Sequence, residues 1–135
     1  MKQSLPNIVK IGFVPCNNLS PNILEKFLAG IPVAVFQLPT AIEHYGNAKC
    51  EAEQEYVNGA YSEKTVLQFS STQTIKGFSA VAFVIEDAQG NSFIIGAKEA
   101  PFPIVEVTEE MDRETNVKNY KVTFTRRKSL LPCSI

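Results

Sequence analysis

Residues 50–69, CEAEQEYVNGAYSEKTVLQF, contain two alternating runs of apolar and polar residues that meet at Asn58-Gly59. A type I′ turn needs positive φ at both of its central residues, and Asn-Gly adopts this conformation readily. The stretch therefore predicts a β-hairpin with a two-residue loop. Because such a loop sets the register of the strands, Tyr56 is predicted to lie opposite Tyr61.

This register divides the hairpin into an apolar face and a polar face, since alternate side chains of a strand point to opposite sides. The apolar face carries the cross-strand pairs Tyr56/Tyr61, Ala52/Thr65 and Cys50/Leu67. The polar face carries Glu55/Ser62, Glu53/Lys64 and Glu51/Val66. We predict that the apolar face packs into the protein core.

Three glutamates, Glu51, Glu53 and Glu55, form a row along the polar face. Side chains two residues apart on a strand are about 6.6–7 Å apart, so the row extends over roughly 13 Å. One calcium ion cannot bind all three, because its oxygen ligands lie at about 2.3–2.6 Å. Two of them match the carboxylate spacing of inverting glycosidases, but that chemistry needs one carboxyl in an apolar pocket, and Lys64 shares this face. We therefore interpret the row as a solvent-facing surface.

The rest of the chain also favours short strands separated by turns. The predicted elements are strands at 8–14 and 33–38, a loop at 40–49, a second hairpin over 78–97 with its turn at 87–90, an edge segment at 100–107, a strand at 119–127 and a packed terminus at 129–135. The edge segment contains Pro101 and Pro103, which cannot donate to a strand ladder.

One segment favours a short helix, near residues 21–29. Ser20 is its expected N-cap, Pro21 its first helical residue, and Gly30 follows its end. So short a helix is marginal alone and is expected to dock its apolar stripe on a sheet. The predicted fold is thus all-β and mainly antiparallel, a sandwich or barrel-like sheet with one short helix, in a single domain over residues 1–135.

The composition excludes several classes of protein. The chain has 135 residues and a formal net charge of −1, so no overall field attracts nucleic acid or acidic membranes. Three distant cysteines, Cys16, Cys50 and Cys133, disfavour a disulfide framework and favour a reducing compartment. Lys10 interrupts the only apolar run near the N-terminus, which disfavours a signal peptide, and the eight-residue apolar run at 78–85 is too short to span a membrane. We expect a soluble protein.

The sequence contains no recognisable catalytic constellation. His44 and Cys50 could form a thiol–imidazole pair, but no motif supplies an orienting group or an oxyanion site. The cysteines and the histidine lack the spacing of a zinc site, and no glycine-rich phosphate loop is present. We therefore predict a non-enzymatic protein that has no catalytic residues and needs no cofactor or metal.

The charged residues are segregated along the chain. Residues 43–63 contain five acids and one base, whereas residues 118–128 contain five bases and no acid. Such segregation suits head-to-tail contacts between oppositely charged surfaces, although charges also cluster on ordinary solvated faces. The basic segment lacks the interleaved exposed aromatics typical of nucleic-acid binding. The predicted interaction surface consists of Glu51, Glu53, Glu55, Arg126, Arg127 and Lys128.

Four segments carry a resemblance to known proteins: KIGFVPCNNLSPNILEKFLAGIPVAVFQLP at 10–39, the hairpin at 50–69, AVAFVIEDAQGNSFIIGAKEAPFPIVEV at 80–107 and YKVTFTRRKSLLPC at 120–133. They resemble small uncharacterised proteins encoded in prophages of gut bacteria, which travel with virion and tail-assembly genes. The resemblance implies a structural or assembly role through protein–protein association, with copies of itself or other phage-like subunits as partners. It also implies that the protein is cytoplasmic until it is assembled.

A second interpretation is a small-ligand or carbohydrate-binding β module. Its site would be a cleft with aromatic side chains such as Tyr45, Tyr56 and Tyr61. Two facing tyrosines on neighbouring strands are more often a cross-strand core pair, which ranks this interpretation second.

Overall fold

Two antiparallel β-sheets of five strands each form the described part of the protein. A computed structural model describes residues 2–5, 8–35, 39–71, 80–99, 102–109 and 118–133. The first sheet has the order β1 (Lys2–Leu5), β4 (Tyr45–Val57), β5 (Ala60–Ser71), β9 (Lys118–Arg126), β8 (Ile104–Glu109). The second has the order β10 (Leu131–Cys133), β7 (Ser92–Ile95), β6 (Val81–Asp87), β2 (Ile8–Pro15), β3 (Thr40–Ile42). A 3₁₀ turn covers Cys16–Asn18, and one short α-helix, α1, covers Ile23–Leu28.

The two sheets pack against each other around an apolar core, so the predicted all-β, mainly antiparallel class is confirmed in its sandwich form. The rings of Phe69 in β5 and Phe83 in β6 meet between the sheets, with centroids 6.2 Å apart. Phe69 also stacks on Tyr120 of β9 at 5.0 Å. Every residue of β6 from Val81 to Ile85 is buried, as its uninterrupted apolar run predicted, because β6 lies in the middle of its sheet.

The long hairpin forms with the predicted register. Asn58 and Gly59 have φ of 53° and 78°, the left-handed conformation that a type I′ turn requires. Cys50 pairs with Leu67, and the pairs continue to the turn without a slip. Four side chains that were predicted to face the core, Cys50, Ala52, Thr65 and Leu67, are all buried.

One pair on that face is not buried. Tyr56 and Tyr61 were predicted to be core residues, but they are 64% and 68% exposed. Neighbouring strands do not extend that far: the pairing of β1 with β4 ends at Glu53, and that of β9 with β5 ends at Glu63. The tyrosines therefore lie beyond the edge of the sandwich, and the prediction that they face the core was wrong.

The second hairpin also has the predicted turn. The N–H of Gly90 donates to the Asp87 carbonyl at 3.1 Å, and Gly90 has φ of 86°. The Asp87 carboxylate accepts the N–H groups of Asn91 and Gln89, both at 2.9 Å. These hydrogen bonds, led by the one from Asn91, hold the pKa of the Asp87 carboxyl below its usual value. Because the Asp87 side chain accepts hydrogen bonds from the backbone of its own turn, it stabilises the short connection between β6 and β7.

The proline-containing segment and the last strands agree with prediction. β8 follows Pro103 and is an edge strand of the first sheet. In β9, Tyr120, Val122 and Phe124 are buried while alternate residues face outward. The terminal segment packs down through buried Leu130 and Leu131 and pairs with β7 as β10.

The helix forms where it was predicted, but it begins two residues later, at Ile23. Asn22, with φ of 56°, occupies the N-cap position instead of Ser20. Its N–H donates to Oε1 of Glu99 at 2.6 Å, a contact with a residue 77 positions away. A distant carboxylate therefore helps set the helix start, which local capping rules cannot include.

Two predictions between residues 33 and 49 differ from the structure. Within 33–35 the only strand-like residue is an isolated bridge at Ala34, and residues 36–38 lie outside the described residues. The segment predicted as a loop, 40–49, instead contains β3 and the start of β4. β3 forms because pairing with β2 buries Ile42 opposite Ile11 in the core.

Candidate interaction surfaces

The tip of the long hairpin projects from the sandwich as a two-stranded arm, which we define as residues 55–62. Within the described part of the chain, these residues pair only with one another across the Asn58-Gly59 turn. Among the side chains that are described here, all are exposed except Ser62, which is half-buried. An isolated pair of strands is only marginally stable in water, so a projecting arm is typical of a segment that acquires contacts from elsewhere.

A pair of aromatic side chains lies on one face of the arm. The rings of Tyr56 and Tyr61 are in contact, with centroids 4.7 Å apart and planes tilted by 59°. They hold each other in place while leaving most of their surface in water. Tyrosine is enriched at the centre of protein–protein interfaces because it buries a large rigid surface and still offers a hydroxyl for hydrogen bonding.

The glutamate row lies where the sequence predicted it, on the outer face of the first sheet. Glu51, Glu53 and Glu55 are all exposed. Glu53 lies opposite Lys64 in the register of β4 and β5. Opposite charges at facing positions stabilise a sheet by a fraction of a kcal/mol, roughly 0.2–1. The row is therefore accessible to a partner and partly balanced by its own sheet.

The basic end lies close to the acidic row. β5 alone separates β4 from β9, so the two charged strands are about 10 Å apart, twice the spacing of neighbouring strands. Arg126 and Lys128 are half-buried and Arg127 is exposed. Arg126 lies opposite Glu63, and Lys128 contacts Glu63, so both belong to the inward face of the sheet, whereas the glutamate row is on the outward face. The fold therefore brings the acidic and basic residues to nearby strands but not onto one surface.

Glu63 is a structural carboxylate that the sequence interpretation counted only as one of the acidic residues. It is 6% exposed, and its Oε1 accepts the N–H groups of Ser129 and Leu130, both at 2.9 Å. The ammonium group of Lys128 lies 3.8 Å from its other oxygen. The hydroxyls of Thr65 and Ser129 share a further hydrogen bond at 2.5 Å. These contacts attach the segment between β9 and β10 to β5, next to the arm.

The sequence did contain a signal for Glu63. It lies between Tyr61 and Thr65 on the apolar face of the hairpin, the face predicted to be in the core. A carboxylate at such a position requires buried donors, since an unpaired charge is costly inside a protein. What the sequence could not show is that these donors are backbone N–H groups 66 and 67 residues further along.

The cysteines lack the environment of reactive thiols. Cys16 and Cys50 are buried and Cys133 is half-buried. Burial raises the pKa of Cys16 to about 11, that of Cys50 to about 12 and that of Cys133 to about 11. Since the thiolate is the nucleophile and the metal ligand, these shifts make the thiols poor candidates for either role. Across the described ranges, no three His, Cys, Asp or Glu residues are grouped closely enough to hold a metal ion.

A surface pocket of about 380 Å³ lies at the other end of the first sheet, away from the arm. Lys49, Gln68 and Lys121, which face one another across β4, β5 and β9, line it together with Ser70 and Asn119. The Ser70 hydroxyl donates to Oδ1 of Asn119 at 2.5 Å. The pocket opens where the pairing of β4 with β5 shifts between Tyr45 and Lys49. Glu106 lies opposite Lys121 in the register of β8 and β9, so the positive charge of the pocket is partly balanced.

No protein-family model matches this chain, and no curated protein or solved structure is detectably similar to it. In the parts of the chain that the structure describes, no helix has the length and apolar character needed to cross a bilayer.

Proposed function

We propose that this protein is a non-enzymatic structural or assembly subunit, of the virion or tail type encoded by prophages, that acts by protein–protein association. The observation that carries the proposal is the projecting arm with its exposed Tyr56–Tyr61 pair. Two large aromatic rings held mostly in water contribute only their cross-strand contact to the stability of the monomer, so their exposure favours a contact with another subunit. The prophage origin depends on the sequence resemblance alone.

The charged residues beside the arm extend the proposed contact surface. Arg126 and Lys128 lie next to the arm on the face that carries the tyrosines, whereas Glu51, Glu53 and Glu55 lie on the opposite face of β4. Interfaces commonly surround a small apolar or aromatic centre with a polar rim. In this arrangement the tyrosines supply binding energy, whereas the charges set orientation and make association sensitive to salt.

The experiment is a measurement of mass in solution by light scattering at low and high salt. We compare the wild type with the double variant Tyr56→Ser/Tyr61→Ser and with Ile31→Ser, which removes a 51%-exposed apolar side chain elsewhere. We expect an oligomer that loosens with salt and that the tyrosine double variant weakens at least tenfold, since a hot-spot residue contributes about 2 kcal/mol or more. Ile31→Ser should leave the mass unchanged. A wild type that remains at 14.9 kDa under all conditions would contradict self-assembly.

The pocket between Lys49 and Lys121 favours a second candidate, a ligand-binding β module. Its volume of about 380 Å³ falls in the usual range for small-molecule sites, roughly 300–1,000 Å³. The rings of Phe69 and Tyr120 stack on each other and are buried, so they offer no platform to a sugar. A ligand module needs no association with other copies, so a mass of 14.9 kDa at every salt concentration would favour it over an assembly subunit.

A further inference from the structure

Among the described residues, the two sheets have four edge strands, and they differ in length. β1 has four residues, β3 and β10 have three each, and β8 has six. Natural sheets commonly keep their edges short, because an unpaired edge is a template for pairing with another chain. β8 is thus the one described edge strand that is long enough to pair with another strand of ordinary length.

β8 also exposes apolar side chains. Ile104 is 62% exposed and Val107 is 47% exposed, so this single strand holds two of the seven large hydrophobic residues that are exposed in the described part of the chain. Lysine and proline are common protectors of sheet edges, and neither occurs within IVEVTE. β8 therefore lacks the two commonest edge protectors, and its charged residues are both glutamates.

One glutamate of β8 faces a cation of its own sheet. In the register with β9, Glu106 lies opposite Lys121. Cross-strand pairs of opposite charge are favourable, so Glu106 repels a second strand less than a glutamate beside a neutral residue would.

We infer that β8 pairs antiparallel with β8 of a second copy of this chain, which joins two five-stranded sheets into one sheet of ten. The inference rests on the proposed function, because it names the partner and the surface of an association. An axis at Glu106 would place like charges directly opposite each other, which is unfavourable. An axis at Val105 or Val107 instead places an apolar residue against its own counterpart and Glu106 against a neutral residue.

A second copy fits this edge better than an unrelated strand, because the pairing closes. The contact uses the same strand of both molecules, so it is a two-fold contact that ends at two copies. The remaining described edges of the ten-stranded sheet are two copies of β1, which has only four residues. Backbone hydrogen bonds and apolar contacts hold the pair, so its affinity should depend little on salt, unlike contacts made by the charges beside the arm.

The test compares the mass of the wild type with that of Val107→Lys, by sedimentation velocity across a range of concentrations. Val9→Lys is the matched control, since Val9 is a 49%-exposed valine in β2 of the other sheet. We expect the wild type and the control to contain a unit of twice 14.9 kDa that persists at high salt. Val107→Lys should dissociate that unit at least tenfold more readily. A wild type that is monomeric at all concentrations would overturn the inference.

Hydrogen exchange of residues 104–109 separates this inference from the proposed function. In a paired β8 all amides are protected, whereas about half the amides of a free edge point outward and exchange quickly. We expect slow exchange in the wild type and fast exchange of alternate amides in Val107→Lys. If β8 amides exchange quickly in a wild-type oligomer that depends on the tyrosines, the edge pairing is wrong and the proposed function stands. If β8 is protected but Tyr56→Ser/Tyr61→Ser leaves the mass of the oligomer unchanged, the proposed role of the arm is wrong and the edge pairing stands.

Discussion

The two ends of the long hairpin have the same sequence pattern and opposite environments. The base of the hairpin, at 48–53 and 63–71, lies between β1 and β9, and its inward side chains, among them Leu67, are buried. The arm at 55–62 has the same alternation and the same register, but its inward side chains are in water. Alternation therefore tells which side chains share a face. Whether that face is buried depends on how far the neighbouring strands extend.

The largest loss of stability is expected from a substitution in the base of the hairpin. Leu67→Ala removes a side chain that is 0% exposed and leaves a cavity between the sheets. Substitutions of this kind cost about 2–5 kcal/mol of the free energy of unfolding. The equivalent truncation in the arm, Tyr61→Ala, should cost less than about 1 kcal/mol, because only the cross-strand contact with Tyr56 is lost. Urea denaturation of both variants, followed by circular dichroism, measures the difference.

A large loss of stability in Tyr61→Ala would contradict the proposed role of the arm. If Tyr61→Ala destabilises the protein as much as Leu67→Ala does, the arm is an integral part of the folded core, and its exposure is no argument for a partner. The measurement is best made at a concentration at which both variants have the same mass, since association would stabilise the arm as well.

A somewhat smaller loss of stability is expected at Glu63, next to the arm. Glu63→Ala removes the acceptor of the Ser129 and Leu130 N–H groups and leaves both donors buried. An unsatisfied buried polar group costs roughly 1–3 kcal/mol, less where water takes the place of the lost acceptor, so the two donors together should lower the free energy of unfolding by about 2–3 kcal/mol. Hydrogen exchange should localise the loss to residues 129–133, because these contacts hold the crossing from β9 to β10.

Glu63→Gln is the matched variant, since its amide oxygen can still accept from Ser129 and Leu130. It lacks the charge that attracts Lys128, so it should lose less stability than Glu63→Ala. Equal losses in the two variants would mean that the negative charge, and not the pair of hydrogen bonds, is what stabilises this corner.

The difference between base and arm also shows which parts of the fold the sequence could predict. Asn58-Gly59 fixed the register of the hairpin, and the apolar run of β6 indicated a central strand, because both signals are local. The exposure of the tyrosines was not predictable, because it depends on where β1 and β9 end. The start of α1 depends on the contact between Asn22 and Glu99, which are far apart in the sequence.

The candidate surfaces were predictable to a similar extent. The exposed glutamate row followed from strand alternation, whereas its distance from the basic end did not. The order of strands in the sheet brings 51–55 and 126–128 to positions separated only by β5, and no local pattern contains that order. Charges that are segregated along the chain can therefore lie on nearby strands, and strand alternation still places Arg126 on the opposite face from the glutamate row.

The smallest effect is expected at the turn of the arm. Gly59 has φ of 78°, and an alanine in this left-handed conformation costs about 1–2 kcal/mol locally. The arm can relieve that strain by fraying, because its eight residues pair only with one another within the described chain. The loss in the global free energy of unfolding is then limited to the small free energy that folds the arm, below about 1 kcal/mol.

Hydrogen exchange distinguishes fraying from global destabilisation in Gly59→Ala. Amides of the arm should exchange faster, while the amide of Leu67 in the base should be unchanged. Gly12→Ala is a control in the sandwich, since a Cβ there would lie 2.7 Å from Cβ of Pro39, and it should lower protection throughout the core. If Gly59→Ala instead lowers protection in arm and base alike, the hairpin unfolds as one unit. The arm would then be stabilised by the sandwich that it extends from, and its two ends would differ only in their exposure to water.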